Sequence, residues 1–113
     1  IKGKLPKVNK NVSLIKGYFN ETLPKFLEEH KEKAAFIHID CDLYSSTKTI
    51  FENIYDRIVP NTVIQFDEYY NYPGWRNHEF KAFQEFCKKY SVEYEYIGIS
   101  YTQVAVVIKS IKN

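Results

Sequence analysis

The sequence predicts an α/β protein whose mostly parallel sheet ends in an antiparallel hairpin, and three observations predict it. Two short apolar runs, 35–39 and 63–66, each close on a pair of acids. Nearly continuous rather than alternating runs are the pattern of parallel strands covered on both faces. Asp40 and Asp67 stand 27 positions apart, and Ile50, Ile54 and Ile58 recur between them at helical spacing, as one βαβ unit requires. Two further strands, about 92–98 and 102–109, are separated only by Gly98 to Tyr101, which suits a hairpin.

Taken in order, residues 1–11 are Lys- and Asn-rich and read as a loop. Asn11 to Lys16 alternates enough to predict a short strand, and Gly17-Tyr18-Phe19-Asn20 a turn. A helix is expected over 21–31, with Leu23, Phe26 and Leu27 on one face and Pro24 in its first turn. The strand at 35–40 follows. Ser45 or Ser46 is the expected N-cap of the next helix, which Pro60 stops after about Val59. Asn61 can take the left-handed turn that leads into the strand at 62–67. An aromatic loop, 69–76, precedes a helix over 78–90 that points Phe80, Phe83 and Phe86 inward.

Composition excludes several function classes. With 113 residues the chain suffices for one small domain, and 44% hydrophobic against 27% charged residues is globular rather than disordered. A net charge of +2, with Lys residues scattered rather than interleaved with stacking aromatics, does not indicate nucleic acid binding. No apolar run approaches the ~20 residues of a membrane span. Two cysteines, at 41 and 87, lack metal-binding spacing and disulfide density, so a reducing, cytoplasmic setting is the expectation.

The chemistry lies at the strand ends. Open parallel sheets bind ligands outside the carboxyl ends of their strands, where Asp40, Asp42, Asp67 and Glu68 stand. If the two strands are neighbours, roughly 4.8 Å apart, these acids converge, and their mutual repulsion calls for a cation. An all-oxygen set favours magnesium, calcium or manganese over zinc. Asp42, two residues beyond Asp40, points the same way, although capping the following helix is its plain structural alternative. His38 reads as a satisfied core side chain and Cys41 as a small filler. Arg76 fits either a sugar diphosphate or a pair with Glu79.

The run His38-Ile39-Asp40-Cys41-Asp42-Leu43-Tyr44-Ser45-Ser46-Thr47, then a helix, then Val63 to Glu68, then Tyr69-Tyr70-Asn71-Tyr72-Pro73-Gly74-Trp75-Arg76, resembles the metal-dependent, S-adenosylmethionine-dependent O-methyltransferases of the macrocin O-methyltransferase type. The likeness extends from about Leu14 onward. It implies a Rossmann-like class I methyltransferase sheet, S-adenosylmethionine and Mg²⁺ as cofactors, and a sugar or natural-product glycoside as substrate. It implies Asp40, Asp67 and Glu68 as metal ligands, although the family more often has Asp at the third position. Asp42 is implied as the general base, with Tyr44, Tyr70 and Trp75 against the substrate and Gly17, Tyr18 and Phe19 near the cofactor. Since an ordinary Asp is a weak base for an alcohol, a bound cation would have to acidify the hydroxyl.

The family's first two strands carry a Gly-rich loop, and no such pattern exists among the glycines at 3, 17, 74 and 98. Residues 1–113 therefore read as a single domain, the C-terminal part of a methyltransferase domain without its Gly-rich half. Strand 12–16 should then pair with strand 35–40, or else leave an exposed parallel edge that invites a homo-oligomer. Three other readings compete. Asp40-Cys41-Asp42 is also a DxD of nucleotide-sugar glycosyltransferases, and more distantly a phosphatase nucleophile pair. The remaining alternative, supported by the missing Gly-rich loop and opposed by the intact acids, is a non-catalytic folded fragment acting as an interaction module.

Overall fold

A computed structural model describes residues 5–41 and 43–112. Three helices, α1 (Phe19–Glu29), α2 (Tyr44–Ile54) and α3 (Glu79–Lys89), alternate with the strands β1 (Phe36–Ile39) and β2 (Val63–Phe66). The strands β3 (Glu93–Ser100) and β4 (Gln103–Ser110) follow. They form one sheet in the order β1-β2-β4-β3. β1 and β2 are parallel, paired from Phe36 with Val63 to Ile39 with Phe66, as the βαβ spacing requires. The hairpin folds back so that its second strand, β4, lies antiparallel against β2, and β3 becomes the far edge.

The core lies on one face of this sheet. Ile39, Ile64, Phe66, Val104, Val106 and Ile108 meet Phe51 and Ile54 of α2 and Phe83 and Phe86 of α3. Rings fill the middle: Phe51 and Phe86 stack at 4.5 Å between centroids, and Phe66 meets Phe83 at 4.9 Å. Burying aromatic area of this kind is the main stabilising term. On β1 the burial alternates, with Ile39 buried but Phe36 and His38 exposed. The expectation of strands covered on both faces is therefore corrected. Phe36 on the outer side of β1, with Ala35 just before it, made an alternating strand look continuous.

Other boundaries move for local reasons. Residues 11–16 form no strand; Val12, Leu14 and Ile15 are exposed, and β1 keeps an unpaired outer edge among the described residues. α1 starts two residues early, at Phe19, because the Tyr18 carbonyl accepts from the Glu21 and Thr22 N–H groups and from Thr22 Oγ1. Pro24 thus sits in the second turn rather than the first. α2 begins at Tyr44 with Leu43 as N-cap and no side-chain cap, so neither Ser45 nor Ser46 caps it. It ends at Ile54, and a single 3₁₀ turn, Tyr55–Arg57, continues toward Val59.

Two turns set the sheet's geometry. Asn61 takes φ 78°, the left-handed conformation expected of it, and its N–H donates to Ile108 O at 2.8 Å. Tyr101, at φ 53°, does the same in the two-residue turn between Ser100 and Gln103. Arg57 locks α1 to the body. Although buried, its guanidinium donates to Leu27 O at 2.9 Å and His30 O at 3.0 Å, where the helix end concentrates negative charge.

Candidate functional site at the carboxyl edge of the sheet

The β1–β2 ladder runs past the strands themselves, since the Asp67 N–H donates to Ile39 O at 3.0 Å. Asp40 and Asp67 are therefore register neighbours just beyond the ends of two parallel strands. Asp40 is exposed and Asp67 half-buried, so both are open to a ligand. The Asp67 carboxylate lies on the face away from the helices: His38 Nε2 is 3.9 Å from its Oδ1, and Gln103 Nε2 donates to the same oxygen at 2.8 Å. His38 is thus not a core histidine. Its side chain is 44% exposed, and it faces the strand-end acid.

Glu68 is held by its backbone from both sides. Its N–H donates to Glu79 Oε1 at 3.0 Å, and its carbonyl accepts from Tyr72 Oη at 3.0 Å. Glu79 is completely buried at the first residue of α3, where the helix N-terminus favours a negative charge. Sequence reasoning assigned Glu79 at most a surface pair with Arg76. The structure instead places Arg76 over the Trp75 ring, 4.2 Å from its centroid. No spacing rule would have found a buried acid there, although an acid in a first helical turn was a weak pointer.

The aromatic loop folds over the end of the helical layer. Trp75 meets Phe80 edge-on at 4.9 Å and Tyr70 at 6.4 Å. With Tyr69, Tyr96, Ile99 and Val104 they line a cavity of about 200 Å³. Beneath it Tyr69 Oη lies 2.9 Å from Tyr96 Oη, and Gln84 Nε2 donates to both Tyr69 Oη and Tyr94 Oη at 3.1 Å. Burial, and then the Tyr96 contact, raise the Tyr69 phenol far above its ordinary range, so it stays neutral. Two other predicted groups lie apart. Tyr44 donates to Glu85 Oε1 at 2.6 Å and carries Lys81 Nζ 4.6 Å from its ring centroid, so its visible contacts join α2 to α3. The hydrogen bond to Glu85, ahead of its burial, raises the Tyr44 pKa. Gly17, Tyr18 and Phe19 line a groove of about 450 Å³ with Ser45, Ser46 and Thr49 at the start of α2. Asp42 lies outside the described residues.

A divalent cation suits what is present. Among the described residues no three His, Cys, Asp or Glu side chains gather into a metal cage. Magnesium does not need one, because it commonly takes one or two carboxylates and completes its shell with water and substrate. Asp40 and Asp67 could supply two oxygen ligand groups. Cys41, whose Sγ lies 3.2 Å from Thr47 Oγ1, is turned to the helix instead.

Sheet order and strand-end acids define the class: an α/β protein with a candidate ligand site at the carboxyl edge of its sheet. The particular family follows from comparison, because the model of the macrocin-O-methyltransferase (TylF) family matches residues 4–106 and the chain belongs to that family. Solved structures agree on the fold. CalS11, a TDP-rhamnose 3′-O-methyltransferase and an enzyme in calicheamicin biosynthesis, is 23% identical over 82% of this chain and 39% of its own, with a TM-score of 0.66. The O-methyltransferase NovP is 25% identical over 83% of this chain and 36% of its own, with a TM-score of 0.64. The chain therefore spans less than two-fifths of the length of these two proteins. No curated protein matches the sequence significantly. No helix among the described residues is long and apolar enough to cross a membrane.

Proposed function

We propose that this chain is the C-terminal part of a magnesium-dependent methyltransferase that moves the methyl group of S-adenosylmethionine to a hydroxyl of a sugar or glycoside. The observation that carries the reading is the register of Asp40 and Asp67 at adjacent parallel strand ends, in a chain of the macrocin-O-methyltransferase family. A divalent cation held there supplies Lewis acidity, which makes a nearby hydroxyl easier to deprotonate.

The chain's own residues do the rest. Asp40 and Asp67 bind the cation, and Asp42 accepts the hydroxyl proton; Glu68, which the resemblance made a third ligand, is not gathered with them into one cluster. Tyr70 and Trp75 offer apolar ring surface to the acceptor, and Tyr44 is the more distant member of that set. Gly17, Tyr18 and Phe19 line the groove assigned to the cofactor, next to the N-terminus of α2. Holding the acceptor oxygen in line with the methyl group is then the main remaining requirement.

The test is methyl transfer by the full-length protein that carries this chain, assayed with a panel of nucleotide sugars and glycosides with and without Mg²⁺. Asp40→Ala and Asp67→Ala should each abolish metal-dependent transfer. Full activity in both variants would refute the assignment, and turnover of a nucleotide sugar without methyl transfer would favour a glycosyltransferase.

A further inference from the structure

We infer that Gln103 is a positioning residue that sets the orientation of the Asp67 carboxylate for its cation. The inference rests on the reading of Asp67 as a ligand. It begins with the sheet, in which Gln65 pairs with Ala105 and Phe66 with Val104, so that Gln103 is the next cross-strand partner of Asp67. At that place its Nε2 donates to Asp67 Oδ1 at 2.8 Å. An ionised carboxylate only accepts hydrogen bonds, so the amide nitrogen and not its oxygen must face it.

Gln103 is delivered on a rigid support. It opens β4 directly after the turn at Tyr101 and Thr102, and that turn is tied to the same loop twice more. Thr102 Oγ1 donates to Asp67 O at 2.9 Å, and the Tyr69 N–H donates to Thr102 O at 2.8 Å. The amide therefore approaches Oδ1, which His38 Nε2 also faces at 3.9 Å, from a fixed direction, and a cation is left the other acceptor positions of the carboxylate.

The type of residue matters as much as its place. Lysine or arginine here would hold Asp67 equally well but would bring a positive charge against the incoming cation. A neutral amide orients without neutralising. Partners of this kind, which hydrogen-bond a ligand side chain rather than the metal, typically change metal affinity 10- to 100-fold when removed. Gln103 is itself exposed, so its substitution leaves the core intact.

The experiment titrates Mn²⁺, as a paramagnetic stand-in for Mg²⁺, into the full-length protein and into its Gln103→Leu, Gln103→Lys and Asp67→Asn variants. Water-proton relaxation reads the affinity, and the melting temperature in EDTA reads the fold. Gln103→Leu should weaken Mn²⁺ binding about 10-fold with an unchanged melting temperature. Gln103→Lys, which keeps a donor but adds charge, should weaken it at least as much, a result no packing role would produce. Wild-type affinity in both Gln103 variants would overturn the inference while leaving Asp67 as a ligand. Absent binding in the wild type, or undiminished binding in Asp67→Asn, would overturn the ligand reading itself. Should Gln103→Leu fail to fold, the lysine variant decides alone.

Discussion

Without its cation, the acid pair should destabilise the protein, and Asp67→Asn measures by how much. Asp40 and Asp67 occupy neighbouring strands, whose spacing is roughly 4.8 Å. Two unit charges about 5 Å apart repel by ~0.8 kcal/mol in water and by ~3 kcal/mol at an effective dielectric constant of 20. Asp40 is exposed and the Asp67 side chain is 29% exposed, so the lower figure governs and about 1 kcal/mol is expected. Asparagine has nearly the same shape and keeps one oxygen to accept from Gln103, while it removes the charge and exchanges the other oxygen for an NH2 group. In EDTA the variant should therefore melt about 4 °C higher than the wild type. With Mg²⁺ at 100 times its dissociation constant the order should reverse, because the wild type gains ~2.7 kcal/mol and the variant nothing. Scanning calorimetry at low ionic strength reads both effects. A variant less stable than the wild type in EDTA, or one that gains as much from Mg²⁺, would refute the shared-cation argument.

Two further outcomes follow from the fold. Arg57→Leu removes two charge-assisted hydrogen bonds to the end of α1 and leaves its carbonyls without those partners, which should cost about 3 kcal/mol in urea unfolding; a loss under about 1 kcal/mol would show that α1 docks by its apolar face alone. Stability should also fall in alkali. Burial pushes the Cys87 thiol up from 9.0 to about 12, so its neutral form is favoured in the fold. That stability is complete below about pH 9 and is lost as pH rises toward 12, by up to ~1.4 kcal/mol per pH unit. Tyr69, raised further still, adds to the same decline above about pH 10. Cys87→Ala should flatten the first part of the curve, and an unchanged slope would mean that Cys87 opens to solvent in the native state.

The strand-end acids were legible because each closes an apolar run, and because the helix between them has the length a parallel crossover needs. Local rules were enough for Asn61 as well, whose side chain tolerates a left-handed backbone. The segment at 11–16 was misread for the opposite reason. Alternation describes a strand's faces, but a strand also needs a neighbour for its backbone, and its sequence says nothing of whether one is there. Gln103 left no mark either, and Glu79 only the weak one of an acid in a first helical turn. Each becomes meaningful only after a distant element returns, the hairpin in one case and α3 in the other.

By itself the sequence determined the three helices, four of the five strands it predicted and their order, and it placed acids at the strand ends, since periodicity, turn residues and paired carboxylates are local properties. Tertiary structure alone decided that β4 rather than β3 lies against β2, that the sheet is covered on one face, and that Arg76 covers Trp75 while Glu79 is buried. The physical reason is the same each time. Pairing, burial and carboxylate orientation depend on which backbone or side chain arrives from far along the chain, and the register of the sheet fixes that arrival.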